Sequence, residues 1–189
     1  MLHFLISENA NRSTSRRHIR DLHLGGNWTD SNLKAQLAGV DWKQATTQVA
    51  DLNSIATLAF HIHYFIKVQT QVLEGGPLEG NDKLSFDHPP IHTEEDWKAF
   101  QEEIFLWANR YADLVEKLPE QRLWEDFVDA KYGNYYRNIQ GVIEHSHYHL
   151  GQISLIKKLL ASQKSMKLIQ VPLCGNTLFG LQIKRTVIR

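Results

Sequence analysis

Glu144-His145-Ser146-His147-Tyr148-His149-Leu150-Gly151-Gln152 is the stretch around which the chain is read. It lies inside an apolar repeat: Tyr135, Ile139, Val142, His149, Ile153, Ile156 and Leu160. Steps of three and four residues place side chains on one face of an α-helix. His145 and His149 are four apart, so they share that inward face, and His147 points away from them. Two imidazoles one turn apart form half of a metal site. The other half has to come from another helix.

Working outward, the neighbouring segments repeat the helical pattern. Upstream, Trp97, Phe100, Ile104, Trp107, Tyr111, Leu114 and Leu118 recur at threes and fours. Thr93 precedes three acids, a cap followed by charges that favour a helix N-terminus, and Pro119 ends the run. Further upstream, Asn53 or Ser54 can cap a helix with the stripe Leu52, Ile55, Leu58, Ile62 and Phe65. Gly75-Gly76-Pro77 stops it. The following segment, to Pro89-Pro90, reads as a long loop of the kind that often serves as a lid. Asn134 can cap the histidine helix, which is expected to run to about Gln163. Residues 120–133 form a connector.

The N-terminal part is less patterned. Residues 1–26 can form a helix with Ile19 and Leu22 facing inward. Arg12, Arg16, Arg17 and Arg20 there fit either a nucleic-acid arm or a solvated helix face, and the solvated face is favoured. Gly25-Gly26 interrupts. Thr29 or Asp30 can then cap a short helix through Leu33 and Leu37, ending at Gly39. After Lys164 the periodicity is lost, so residues 1–164 are read as one domain and residues 165–189 as a C-terminal extension. The expected fold is an all-α four-helix bundle.

Composition narrows the function. The chain has 189 residues, 42% of them apolar, with 21 basic and 21 acidic side chains. That balance disfavours a dedicated nucleic-acid binder. The only cysteine is Cys174, which leaves no disulfide framework and points to a reducing compartment. The opening residues lack the features of a signal peptide, and no apolar run is long enough for a membrane span. A cytoplasmic protein is expected.

The third metal nitrogen is sought on the helix that starts near Ser54. His61 lies with Leu58 and Phe65 on the core seam. His63 lies about 200° further round, so both cannot face the core squarely. His61, His145 and His149 are therefore the expected ligands of a divalent metal: zinc, nickel or iron. Ser146 stands where a zincin needs its glutamate, so protease chemistry is disfavoured. Only one Glu-x-x-His, Glu144 to His147, is present in this region, and it lies off the ligand face. That disfavours a di-iron bundle. Gln152, one turn after His149, can orient a ligand or a histidine and is the candidate catalytic residue. Tyr135, Asn138 and Tyr148 are possible supporting groups. Asp126 and Asp129 can hold a ligand histidine's second nitrogen.

Ser54-Ile55-Ala56-Thr57-Leu58-Ala59-Phe60-His61, with His145-x-x-x-His149 and Gly151-Gln152 about 80 residues later, resembles the DinB/YfiT-like superfamily of metal-binding bundles. The resemblance covers roughly residues 16–163. It implies an up-down-down-up four-helix bundle, often a homodimer, with metal on His61, His145 and His149. It further implies a small-molecule substrate and either thiol-dependent S-transfer, using a low-molecular-weight thiol, or hydrolysis. The competing expectation is a non-catalytic dimeric metal-binding or stress-related interaction module.

Overall fold

The computed structural model describes residues 10–169. Among these residues every named element is helical, and the one β-pairing outside them is an isolated bridge between Asp126 and Asn134. Four helices are long: α1 (Ala10–Leu24), α4 (Ile55–Leu73), α5 (Glu94–Lys117) and α6 (Tyr135–Ile169). Two are single short turns, α2 (Leu33–Leu37) and α3 (Trp42–Thr46). Short 3₁₀ turns at Asp82–Phe86, Glu120–Trp124 and Ala130–Tyr132 complete the path.

Three of the long helices, α4, α5 and α6, start where side chains satisfy free backbone N–H groups. The Ser54 hydroxyl accepts from Thr57 N at the head of α4. Thr93 and Asp96 form a reciprocal capping box on α5. Asn134 Oδ1 accepts from Arg137 N on α6. The stops are as physical: α4 gives way to Gly75 at φ 89°, a conformation that disfavours a Cβ.

Three boundaries differ from the expectations. Asn32, not Thr29 or Asp30, caps α2, accepting from Ala35 N; Asp30 instead holds a positive φ of 56° in the preceding turn. Helix α3 was not foreseen, although Asp41 and Gln44 form its capping box. Five residues present too little periodicity to read, and only the box marks them. Helix α6 continues past Gln163 to Ile169, so the expected extension over 165–189 begins as helix. Its remainder, 170–189, lies outside the described residues.

Helix α1 packs on α5 and α6, and α4 packs on the same two. The buried core falls into two main clusters. One gathers Leu33, Leu37, Ile55, Leu58, Ile62, Trp97, Ile104, Leu150, Ile153 and Ile156. The other gathers Ile19, Ile66, Tyr111, Val115, Leu123, Ile139, Val142 and Ile143. On α4 the change occurs between Ile62 and Ile66, and on α6 between Ile143 and Leu150. The histidines sit at that level. Trp97 is fully buried and donates its indole N–H to Val40 O at 2.8 Å, tying the α2–α3 link to α5.

Three of the basic residues of α1 turn toward α5 and the turn after it, and Arg17 is left on the solvated face. Arg16 pairs with Glu116 and Arg20 with Asp113 on α5, Arg12 pairs with Glu120 just beyond it, and Arg17 pairs with Asp21. Charge matching between neighbouring helices supplies what the sequence order alone does not reveal.

Candidate metal centre

The site is built by α4, α6 and the 3₁₀ turn Asp82–Phe86. His61, on the second turn of α4, is 3% exposed. His149 on α6 is buried, and His145, one turn earlier, is half-buried. The structure brings these three together, with ligand atoms all within 4.8 Å of one another. His145 Nε2 lies 2.9 Å from His61 Nε2 and 3.1 Å from His149 Nε2. Nitrogens around a tetrahedral zinc would be about 3.3 Å apart, given bonds of 2.0–2.1 Å. The observed spacing is within a few tenths of that.

The outer nitrogens explain why the inner ones converge. Ser85 Oγ donates to Asp82 O, so it must accept from His61 Nδ1, 2.7 Å away. Gln152 Oε1 has no proton and accepts from His149 Nδ1 at 2.8 Å. Both rings therefore carry their proton on Nδ1 and turn an Nε2 lone pair to the centre. His145 has one Nε2 proton at most and can satisfy only one of those lone pairs. The donor set thus fits a cation better than it fits internal hydrogen bonding. No fourth His, Cys, Asp or Glu joins the group among the described residues.

The surroundings favour the neutral forms of His145 and His61. Burial pushes His145 down to about 4, aided by the neighbouring His149 and His61. Burial and His149 also hold His61 below its ordinary value, against the Asp82 carboxylate, which raises it. Phe86 stacks on His61 with ring centres 4.0 Å apart, and Phe65 meets the His61 and His145 rings edge-on. Water is thereby excluded from most of the cluster.

No protein-family model, curated protein or solved structure matches this chain. What the site can do follows from its geometry.

The other candidate residues fall elsewhere. Asp126 lies in the bridge to Asn134, and Asp129 caps its own turn and pairs with Lys131. Neither is a partner of the ligand histidines; Ser85 and Gln152 take that place. Gln152 contacts His149 and orients that ring. Ser85 was missed, because a serine inside a loop carries no spacing signal. The expected lid segment does supply it, together with Phe86. His63 is buried as deeply as His61, but on the α4–α5 seam, with Nε2 3.5 Å from Glu103 Oε1. Two seams on one helix were not anticipated. His147 donates its Nδ1–H to Ile143 O at 2.9 Å and leaves the cluster. Tyr135 Oη accepts from Arg122, the Asn138 amide serves Tyr132 O and Asn134 O, and Tyr148 is exposed with its ring 4.9 Å from His149. His88 and His92 lie in or beside the loop, apart from the cluster.

Proposed function

We propose that this chain is a divalent-metal-dependent enzyme of the DinB/YfiT-like type, holding zinc, nickel or iron on His61, His145 and His149. Its chemistry is S-transfer from a low-molecular-weight thiol to an electrophile, with hydrolysis as the variant in which water replaces the thiol. The observation that carries this is the convergence of the three Nε2 atoms while Ser85 and Gln152 occupy Nδ1 of His61 and His149. Three protein nitrogens without a fourth ligand suit a catalytic site better than a closed structural one.

The order of helix pairs supports the bundle type. Along α1 the partners on and after α5 run backwards, from Glu120 through Glu116 to Asp113. Lys67–Glu103 and Glu74–Arg110 run forwards together on α4 and α5. His61–His145 and Gln69–Asn138 run oppositely on α4 and α6. These directions read as up-down-down-up. A homodimer belongs to the same reading: Tyr148, Leu155 and Leu159 leave an exposed apolar stripe on α6.

When bound, the cation lowers the pKa of a thiol or water in its open position, making the nucleophile available near neutral pH. The protein's own part is fixed by the contacts. Ser85 and Gln152 hold two rings in one tautomer. Phe86 and Phe65 restrict water. His145, the most accessible of the three, borders the side from which a substrate can approach.

The test is metal content by mass spectrometry on protein purified without a histidine tag. About one divalent ion per chain is expected, lost in His149→Ala. A panel of thiols and electrophiles then assigns the reaction. No metal in the parent protein, even after dialysis against zinc, nickel and iron, overturns the proposal.

A further inference from the structure

A groove of about 280 Å³ runs between α4 and α6 and ends at His145. Phe65 and Gln69 form one wall; Arg137, Gly141 and His145 form the other. The last three are spaced four apart, so they share one helix face. Arg137 and His145 are separated by two turns, about 12 Å along the axis.

The polar groups of this groove divide sharply. Gln69 is spent: its amide donates to Asn138 O and its carbonyl accepts from Tyr111. The Asn138 NH2 is spent on Tyr132 O and Asn134 O, which leaves its Oδ1 beside Arg137. The Arg137 guanidinium has no ion pair or hydrogen bond among the described residues, and neither has His145 Nδ1. Among the lining residues, the one cation without a partner is therefore at the Arg137 end and an unspent ring nitrogen is at the His145 end, with Phe65 and Val142 between.

Gly141 explains the open floor. A glycine inside a helix costs about 1 kcal/mol relative to alanine. It is tolerated where φ is positive or a neighbour presses close, and neither holds here. Gly141 has no positive φ, and a Cβ built on it would meet nothing within 4 Å. What a larger side chain would fill is the groove itself.

We infer that this groove binds an elongated anionic ligand, with its carboxylate or other anionic end on Arg137 and its metal-seeking end at His145, the one member of the histidine cluster that lines the groove. The inference deepens the proposed function and rests on it for the His145 end only. It names the substrate class: a thiol, or the partner it reacts with, that carries a negative charge about two helical turns from its reacting atom. The guanidinium fork and a carboxylate are geometrically matched.

The test follows the Arg137 Nε–H and Gly141 amide resonances by NMR during titration with omega-mercaptooctanoate, omega-mercaptooctanol and the short mercaptopropionate. Zinc-loaded and zinc-free protein are titrated in parallel. The long acid should bind about tenfold more tightly than the long alcohol, shifting both resonances. Arg137→Gln should remove that preference. Gly141→Leu should block both long thiols while leaving zinc and mercaptopropionate bound; Gly141→Ala, which keeps the groove open, controls for the helix. Equal affinity for acid and alcohol, or shifts that avoid Arg137 and Gly141, overturns the inference. Failure of zinc to bind, with the acid still shifting Arg137, overturns the metal reading and leaves the groove standing. Zinc binding with no response in the groove does the reverse.

Discussion

Ser85 sets which nitrogen of His61 faces the cluster. It is fully buried, 24 residues from its partner, and its own proton is committed to Asp82 O. Ser85→Ala leaves the histidine free to turn or change tautomer. Groups that orient a ligand histidine are worth about 10–100-fold in metal affinity. We expect zinc affinity to fall by that factor, read by competition with a chromophoric chelator, with far-UV circular dichroism unchanged. Unaltered affinity would mean that packing against Phe86 alone orients the ring. The residue scale is also where sequence reading stops. The i, i+4 pair on α6 was legible because helical geometry fixes the relation of His145 to His149. His61 was legible because it shares a seam with Leu58 and Phe65. Ser85 was not, because its relation to His61 is tertiary, and no period links a loop hydroxyl to a helix imidazole.

At the scale of elements, caps and breakers carried most of the information. Ser54, Thr93 and Asn134 mark starts by chemistry that acts within a single turn. What was hidden is support that arrives from a distance. Helix α2 has five residues and cannot stand on its own hydrogen bonds. Lys157 on α6 holds its end, donating to Gln36 O at 2.8 Å and Ala38 O at 2.7 Å, with Ala35 O at 3.3 Å. Burial lowers the pKa of this amine, and the carbonyls repay that cost with charge-assisted hydrogen bonds. Lys157→Met keeps the apolar stem and removes the charge. A loss of about 2 kcal/mol is expected from hydrogen bonds of this type, measured by urea denaturation, with faster amide exchange confined to residues 33–38. A loss below about 0.5 kcal/mol, the range of ordinary surface changes, would show that Leu33 and Leu37 anchor the turn by burial alone.

For the whole molecule, acid is the informative stress. His23 is 1% exposed, donates Nδ1 to Ile19 O, and has no partner on Nε2. Burial lowers its pKa to about 4. Burial also lowers that of His63 to about 4, although Glu103 opposes the shift. In the unfolded chain both titrate near 6.5. Between pH 6.5 and 4 the unfolded state therefore binds more protons, so stability falls as pH falls through that window. From His23 alone the full loss is on the order of 3 kcal/mol, a large share of a typical net stability. Urea midpoints measured with a chelator present should drop between pH 7.5 and 5, and His23→Leu should drop less. Parallel curves for the two proteins would assign the acid limb to other groups.

Two of the metal-facing histidines lie on one helix, and the third stands 84 positions earlier in the chain. During synthesis at 5–20 residues per second, His61 leaves the ribosome roughly 4–17 s before His145 follows. Through that interval a lone imidazole has no means of gripping a cation selectively. The three rings come together only as α6 docks against α4. A cation held there would be selected by the shape of a finished cavity and by the supply in the cell, rather than by a growing peptide.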